Sequence, residues 1–383
     1  MTDKQTNFAD LNRKVLFGES NGKIIWQPRI GCWFGDKQFA GEPLPAPFNC
    51  HPFGPRHEDG MRLSGIYREL NCSNRVYDYN RCFKRKEHPS VVYSEQRVSA
   101  TRLEGVFKTP VGNQPVVYGL TANSPAAYHV KWQVTNEDEM KVAIWRVEHT
   151  QWEWDQAVFE EVAREWGDLG APAMYMPRVT VQDLYINLMG VENGTYALYD
   201  WPDAVEAYFR ALNECDDRLI SLINDSPVDI INFGDNVHAG TLSPQLFKKY
   251  VLPAYQHRCE RLHKAGKFVH AHWDGDTKPL LPFAHETGLD GIEAITPKPQ
   301  GDVTLEEIKE GLGDDLFLLD GIPAVFFDAT YPVSMLEDCA RRLIELFAPR
   351  LVLGISDEIS SHGDIERIRI VGKIVDEYNS QFG

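Results

Sequence analysis

Val228-Asp229-Ile230-Ile231-Asn232-Phe233-Gly234-Asp235-Asn236 reads as a short apolar strand that ends in polar residues. It is rich in β-branched side chains on both faces, the pattern of a strand covered on both sides. Ser243-Pro244 then marks a helix start, serine as N-cap and proline at the first helical position, and that helix reaches about His263 before Ala265-Gly266 stops it. A second strand follows at 267–272, Lys267-Phe268-Val269-His270-Ala271-His272. Further strands at 291–295, 316–321 and 350–356 alternate with helices at about 279–287, 304–311 and 334–347, and a last helix covers about 364–378. The helix at 304 carries a capping box, Thr304 with Glu307 three residues on. Strand then helix, five times over, predicts a parallel sheet. No G-x-G-x-x-G follows any strand, which favours an α/β fold of the closed (β/α)8 TIM-like barrel type over an open dinucleotide-binding sheet.

The first half is less regular. Residues 23–29 (Lys23-Ile24-Ile25-Trp26-Gln27-Pro28-Arg29) look like a first barrel strand, and 40–61 are rich in Pro, Gly and His and read as a long loop. Apolar and polar residues alternate over 91–120 around Gly105 and Gly112, which predicts an inserted antiparallel hairpin or meander. Helical patterns follow at about 136–148, 155–168, 180–190 and 203–224. We expect one domain over 1–383, with an N-terminal extension and β-hairpin insertion in 1–130 and the main barrel portion in 131–383.

Composition narrows the function. The chain of 383 residues is 43% hydrophobic, ample for a large core. It has no run of ~18 apolar residues, so no membrane span is expected. The polar start, Met1-Thr2-Asp3-Lys4-Gln5-Thr6-Asn7, lacks a signal-peptide core, so a cytoplasmic protein is expected. Seven scattered cysteines with no C-x-x-C pair suit reduced thiols. A formal net charge of -17 disfavours nucleic acid. Nine Trp, fifteen Tyr and nineteen Phe are enough for both a core and a pocket for a flat substrate.

The strand ends carry the chemistry. Residues i and i+2 of a strand share a face, so His270 and His272 point the same way, into the mouth at the C-terminal end of a barrel. Such a pair can share a zinc ion if a third protein group completes the set, or it can orient substrate by hydrogen bonds. Other strand ends bring Asp235, His238, Asp274, Glu293, Asp320, Asp357 and Glu358 to the same mouth. Carboxylates crowded there can act as acid, base or metal ligand. Asp357 or Glu358 is the expected third metal ligand, and Asp235, His238 and Glu293 the expected catalytic groups. Arg29 can clamp a carboxylate or phosphate, and Trp26, Trp33 and Asp320 join it as expected substrate-binding residues.

Several segments resemble the uroporphyrinogen decarboxylase superfamily, which includes cobalamin-dependent methyltransferases. They are Phe233-Gly234-Asp235-Asn236, the helix Leu242-Ser243-Pro244-Gln245-Leu246-Phe247-Lys248-Lys249-Tyr250-Val251-Leu252-Pro253, Gly288-Leu289-Asp290-Gly291-Ile292-Glu293 and Leu353-Gly354-Ile355-Ser356-Asp357-Glu358. The likeness covers roughly 130–380 and implies a (β/α)8 barrel with its site at the strand ends. True uroporphyrinogen decarboxylases carry an arginine-rich first strand where this chain has Trp26-Gln27-Pro28-Arg29. The methyltransferase branch holds zinc with an H-x-C pair and a later cysteine; here the same places read His270-Ala271-His272 and Ser356-Asp357-Glu358. The resemblance therefore implies a harder zinc site, with His270, His272 and Asp357 or Glu358 as ligands. It implies methyl transfer from a small methylated substrate, such as a methoxylated aromatic, to a corrinoid on a separate protein, as in an O-demethylase. A homodimer is compatible with this. The alternative is a metal-free decarboxylase of a small carboxylated aromatic, with Arg29 as clamp and Asp235 as proton donor; a barrel that binds a ligand without turnover is a third class.

Overall fold

The computed structural model describes residues 6–42, 44, 45, 48, 63–121 and 126–382. Most of the expected loop at 40–61, Cys50 included, lies outside them. In chain order the strands are β1 (Ile25–Trp26), β2 (Phe83–Lys86), β3 (Val92–Ser99), β4 (Arg102–Thr109), β5 (Gly112–Gly119), β6 (Tyr128–Lys131) and β7 (Gln151–Trp154). They continue as β8 (Ala173–Met176), β9 (Ile230–Phe233), β10 (Phe268–His272), β11 (Gly291–Glu293), β12 (Phe317–Pro323) and β13 (Leu351–Ser356). Seven of them form one sheet in the order β1-β13-β12-β11-β10-β9-β8, every neighbouring pair parallel.

Residues 73–76 complete the ring. Ser73 N donates to Trp26 O beside β1 at 3.1 Å, and Val76 bridges Pro172 in the parallel sense beside β8. The architecture is the predicted (β/α)8 TIM-like barrel. Its first strand and closing segment come from the region read as an N-terminal extension.

Side-chain alternation sorts two cores. Ile25, Ala173, Ile230, Phe268, Phe317 and Val352 meet inside the barrel floor, sealed below by Val15 and Leu16 of the helix Phe8–Leu16. Their neighbours Trp26, Met174, Ile231, Val269, Leu318 and Leu353 face the helix layer. Burial of each such side chain contributes about 1.5–3 kcal/mol. One step above the floor the interior turns polar: Gln27, Asn232, His270 and Glu293 are all buried.

The predicted meander is present as the antiparallel sheet β3-β4-β5-β6, and β2 pairs with β7 beside it. The expected helix at 279–287 is a 3-10 helix, Leu281–Glu286, and the last helix starts at Arg367. The expected helix at 180–190 is an α-turn, Thr180–Asp183, followed by a π-helical turn, Leu184–Leu188. The Ser243 N-cap and the Thr304–Glu307 capping box form as read. Among the described residues no helix is long and apolar enough to cross a membrane.

Candidate active site

Glu293 is the centre of the barrel mouth. It ends β11, lies opposite His272 in the β10–β11 register, and is fully buried. His272 Nδ1 is 3.3 Å from its Oε1, and His270 Nδ1 is 3.1 Å from its Oε2. Arg29 Nη1 and Arg75 Nη1 reach Oε1 at 3.0 and 3.1 Å. Tyr77 donates its hydroxyl to Oε2 at 3.1 Å, and the Asn232 amide donates there as well. Burial alone would raise this carboxyl; the Arg75 charge, the two histidines and Arg29 outweigh it and hold the pKa well below the ordinary range.

The two histidines separate in this field. Burial lowers His270, and Glu293 only partly offsets that, so its imidazole is held neutral. Burial also works against charge on His272, but its hydrogen bond and proximity to Glu293 prevail and raise its pKa. His272 lines a cavity of about 390 Å³ with Arg29, Tyr175, Arg178, Asn187 and Asp235. His270 does not line it; it sits below, fully buried.

Arg75, on the closing segment, organises the floor of the site. It grips Asp320 with both Nη atoms, the longer bond 3.1 Å, and its Nε donates to Gln27 Oε1 at 3.0 Å. Asp320 has φ +83°, which breaks strand alternation so that it turns inward directly after the interior Leu319. Gly354 makes room: a Cβ there would overlap the Asp320 carboxylate. Asp320 is pushed up to about 6 by burial and by the nearby Glu293, against the pull of Arg75. The expected substrate-binding role of Asp320 is corrected here, because Arg75 already occupies both its oxygens.

Other expectations sort as follows. Arg29 is in the mouth, paired with Glu293, Asp357 and Glu358. Asp235 lines the cavity, but its oxygens accept from Val179 N at 3.0 Å and Tyr255 hydroxyl at 2.7 Å. His238 stands apart from the cluster, beside Gly275 and bonded to the Thr241 hydroxyl at 3.2 Å, and is corrected as a member of it. Trp26 is corrected too: it faces outward, and its indole donates to Ile368 O at 3.1 Å. Trp33 is buried against Phe48, away from the mouth cavity.

The expected metal set does not fit. Asp357 and Glu358 turn to Arg29, and Glu358 also accepts from Cys32 N. Glu293, the carboxylate that does meet both imidazoles, is already faced by two guanidinium groups that would repel a cation. Among the described residues no three His, Cys, Asp or Glu side chains converge to hold a metal ion. His270 alone leans that way, since neither ring nitrogen makes a well-formed hydrogen bond, and one imidazole is not a ligand set.

Three groups were missed in the sequence. Arg75 and Tyr77 belong to the segment that closes the barrel, and Arg178 follows β8. Arg178 gives one bond, to Asn236 Oδ1 at 3.2 Å, while its buried Nε has no partner. Among the described residues no carboxylate lies within ion-pair distance of it. It is the least committed cation of the mouth.

With this geometry the comparisons can be placed. The family model described as uroporphyrinogen decarboxylase (URO-D) matches residues 183–317. A methyltransferase from Methanosarcina mazei superposes over 98% of this chain and 99% of its own, with a TM-score of 0.57 at 14% identity. The resemblance to the uroporphyrinogen decarboxylase superfamily holds. In fold, this barrel follows the methyltransferase over nearly its whole length. A GH18 chitinase from Pseudoalteromonas aurantia aligns over 58% of this chain and 82% of its own at 9% identity and a TM-score of 0.35. A type I 3-dehydroquinate dehydratase from Clostridium difficile aligns over 64% and 89% at 15% identity and 0.33. Neither carries an argument. No curated protein matches the sequence.

Proposed function

We propose that this barrel is a methyltransferase that removes the methyl group of a small methoxylated aromatic carboxylate and passes it to a corrinoid presented by a separate protein. The observation that carries the reading is one cavity holding both a lightly committed guanidinium, Arg178, and an imidazole, His272, hydrogen-bonded to a buried carboxylate that raises its pKa. The whole-length fold likeness to a methyltransferase supports it.

A cavity of about 390 Å³ lies at the small end of ligand sites and suits one substituted ring. The reduced corrinoid would be the acceptor substrate, meeting the ring at the mouth and taking the methyl group as its bond to oxygen breaks. Arg178 and Arg29 would receive the carboxylate, where a two-pronged guanidinium bond fixes orientation. As the methyl–oxygen bond breaks, its electron pair stays on the aryl oxygen. His272, anchored through Nδ1 to Glu293, would give its proton to that oxygen from Nε2, so the phenol leaves neutral. A general acid so placed is worth about 10²–10⁴-fold. Glu293 would then stabilise the proton's return to His272. No step requires zinc, and dialysis against a chelator should leave activity unchanged.

The test is incubation with methoxybenzoates and a reduced corrinoid protein, following phenol by chromatography and the corrinoid by absorbance. Phenol formation that stops in His272→Gln supports the reading; an unmethylated corrinoid with every donor overturns it. The second reading, decarboxylation of a carboxylated aromatic, is favoured by one observation: two arginines, Arg29 and Arg178, line the mouth. Release of carbon dioxide without methyl transfer would establish it instead.

A further inference from the structure

The inserted meander covers a second cavity of about 510 Å³. Phe107 of β4, Tyr118 of β5 and His129 of β6 form one side, and Arg146 of the helix Glu137–Glu148 and Tyr208 of the helix Pro202–Asp225 the other. Arg85 of β2 stands at its edge. None of these residues serves the chemistry above.

Two features connect this cavity to the mouth. Asn187 lines both cavities. It is carried by the π-helical turn Leu184–Leu188, an irregularity that recurs at functional sites. Asn187 is pinned there: its side-chain amide donates to Asp183 Oδ1 at 2.7 Å and its main-chain carbonyl accepts from Gln133 Nε2 at 3.3 Å. Just upstream, Thr180 holds φ +32°, a left-handed conformation that a β-branched residue rarely adopts. The chain thus departs from regular helix where the two cavities share a wall.

The lining has spare positive charge. Asp183 is occupied by Asn187 and by the Tyr208 hydroxyl at 2.6 Å, and burial favours its neutral form. Glu87 is the remaining acid, and it pairs with Arg146 at 2.6 Å. Arg146 lies over the Phe107 ring at 3.5 Å, and its buried Nε has no partner. Arg85 is 3.9 Å from Glu87 and 3.4 Å from the Thr150 hydroxyl, with 47% of its side chain exposed. An anion entering here would meet Arg85 and the edge of the Arg146 guanidinium, with aromatic faces around it.

We infer that this cavity is a second subsite, which takes the distal anionic end of an elongated aromatic ligand whose reacting ring occupies the mouth. The inference rests on the mouth accepting an aromatic carboxylate, and the experiment separates the two. Calorimetry would compare benzoate with biphenyl-4,4'-dicarboxylate on the wild-type chain, on Arg85→Gln and on Tyr118→Ala, each checked for an unchanged melting point. The expected result is that the biphenyl binds at least about tenfold tighter than benzoate, roughly one charge-assisted hydrogen bond. Each substitution should erase that advantage and leave benzoate unchanged. Equal binding of the two probes, or a biphenyl affinity indifferent to both substitutions, overturns the subsite. Biphenyl binding that depends on Arg85 with no benzoate binding at all would leave the subsite standing and sink the mouth reading.

Discussion

The two halves of the barrel divide the site between them by charge. The second half, from β9 onward, supplies the imidazoles and carboxylates: His270, His272, Asp235, Glu293, Asp320 and Asp357. The first half, residues 24–178, supplies the cations and the tyrosine that meet them: Arg29, Arg75, Tyr77 and Arg178. Neither half is electrostatically tolerable alone. Buried Asp320 without Arg75, and Glu293 without Arg75 and Arg29, would be uncompensated charges, and Arg75 without the two carboxylates equally so. The seam between halves is therefore both a structural joint and the active-site candidate, and removing one side of it should cost more than removing either side's share of the packing.

The hardest break is Arg75→Ala. It strands the buried Asp320 and takes one of two guanidinium groups from Glu293, and we expect a loss of ~3–5 kcal/mol in unfolding free energy, read as a lower denaturant midpoint. Arg75→Lys should recover part of this, because it keeps the charge but not the fork that holds Asp320. A loss below about 1 kcal/mol in Arg75→Ala would mean that the halves are not joined electrostatically.

Glu293→Gln attacks the same seam from the other side, and pH reads it. The folded pKa of Glu293 is held below the ordinary 4.5, so ionised Glu293 adds stability that is fully present above pH 4.5. That stability is lost as pH falls through the folded value. The wild type should therefore lose stability on acidification below 4.5 more steeply than Glu293→Gln, as measured by melting point against pH. Turnover should fall about 100-fold as His272 loses its anchor. Parallel acid profiles in the two proteins would show that the carboxylate is not stabilised by its partners.

Arg178→Ala should be milder and more selective. Since Arg178 has no ion-pair partner to strand among the described residues, the melting point should hardly move, while benzoate affinity falls about 10- to 100-fold, the worth of one or two bonds to a charged group. An unchanged affinity would move the carboxylate elsewhere in the mouth.

The unequal legibility of the two halves has a physical cause. In the second half the strands are apolar, carry a polar residue at or near the C-terminal end and alternate with helices, two of them with a clear N-cap, so strand, face and site residue were readable together; the His270–His272 pairing on one face came from alternation alone. In the first half the barrel strands are short and atypical. β1 has two residues, Ala173-Met174-Tyr175-Met176 lacks β-branching, and Cys72-Ser73-Asn74-Arg75-Val76 places a charged residue where an interior position looks forbidden. Arg75 is tolerated there only because Asp320 and Glu293, some 220 to 245 residues later, meet it. Long-range compensation of that kind leaves no local pattern. The same gap explains the metal expectation: the two histidines do share a face, but the arginines that occupy their carboxylate were not visible.

Trp26→Phe probes the joint most gently, because β1 is where the halves meet. Trp26 looked like a substrate contact; the structure turns it to the helix layer, with its indole donating to Ile368 O. Losing that buried bond should cost ~1 kcal/mol and leave kcat/KM unchanged. The alternative is sharp, since strand alternation has a period of two. A shift of β1 by one residue would put Trp26 in the barrel and Gln27 outside, breaking the Gln27–Arg75 bond at 3.0 Å. A tenfold or larger fall in kcat/KM with an unchanged melting point would imply that shifted register, and with it a different partner for Arg75.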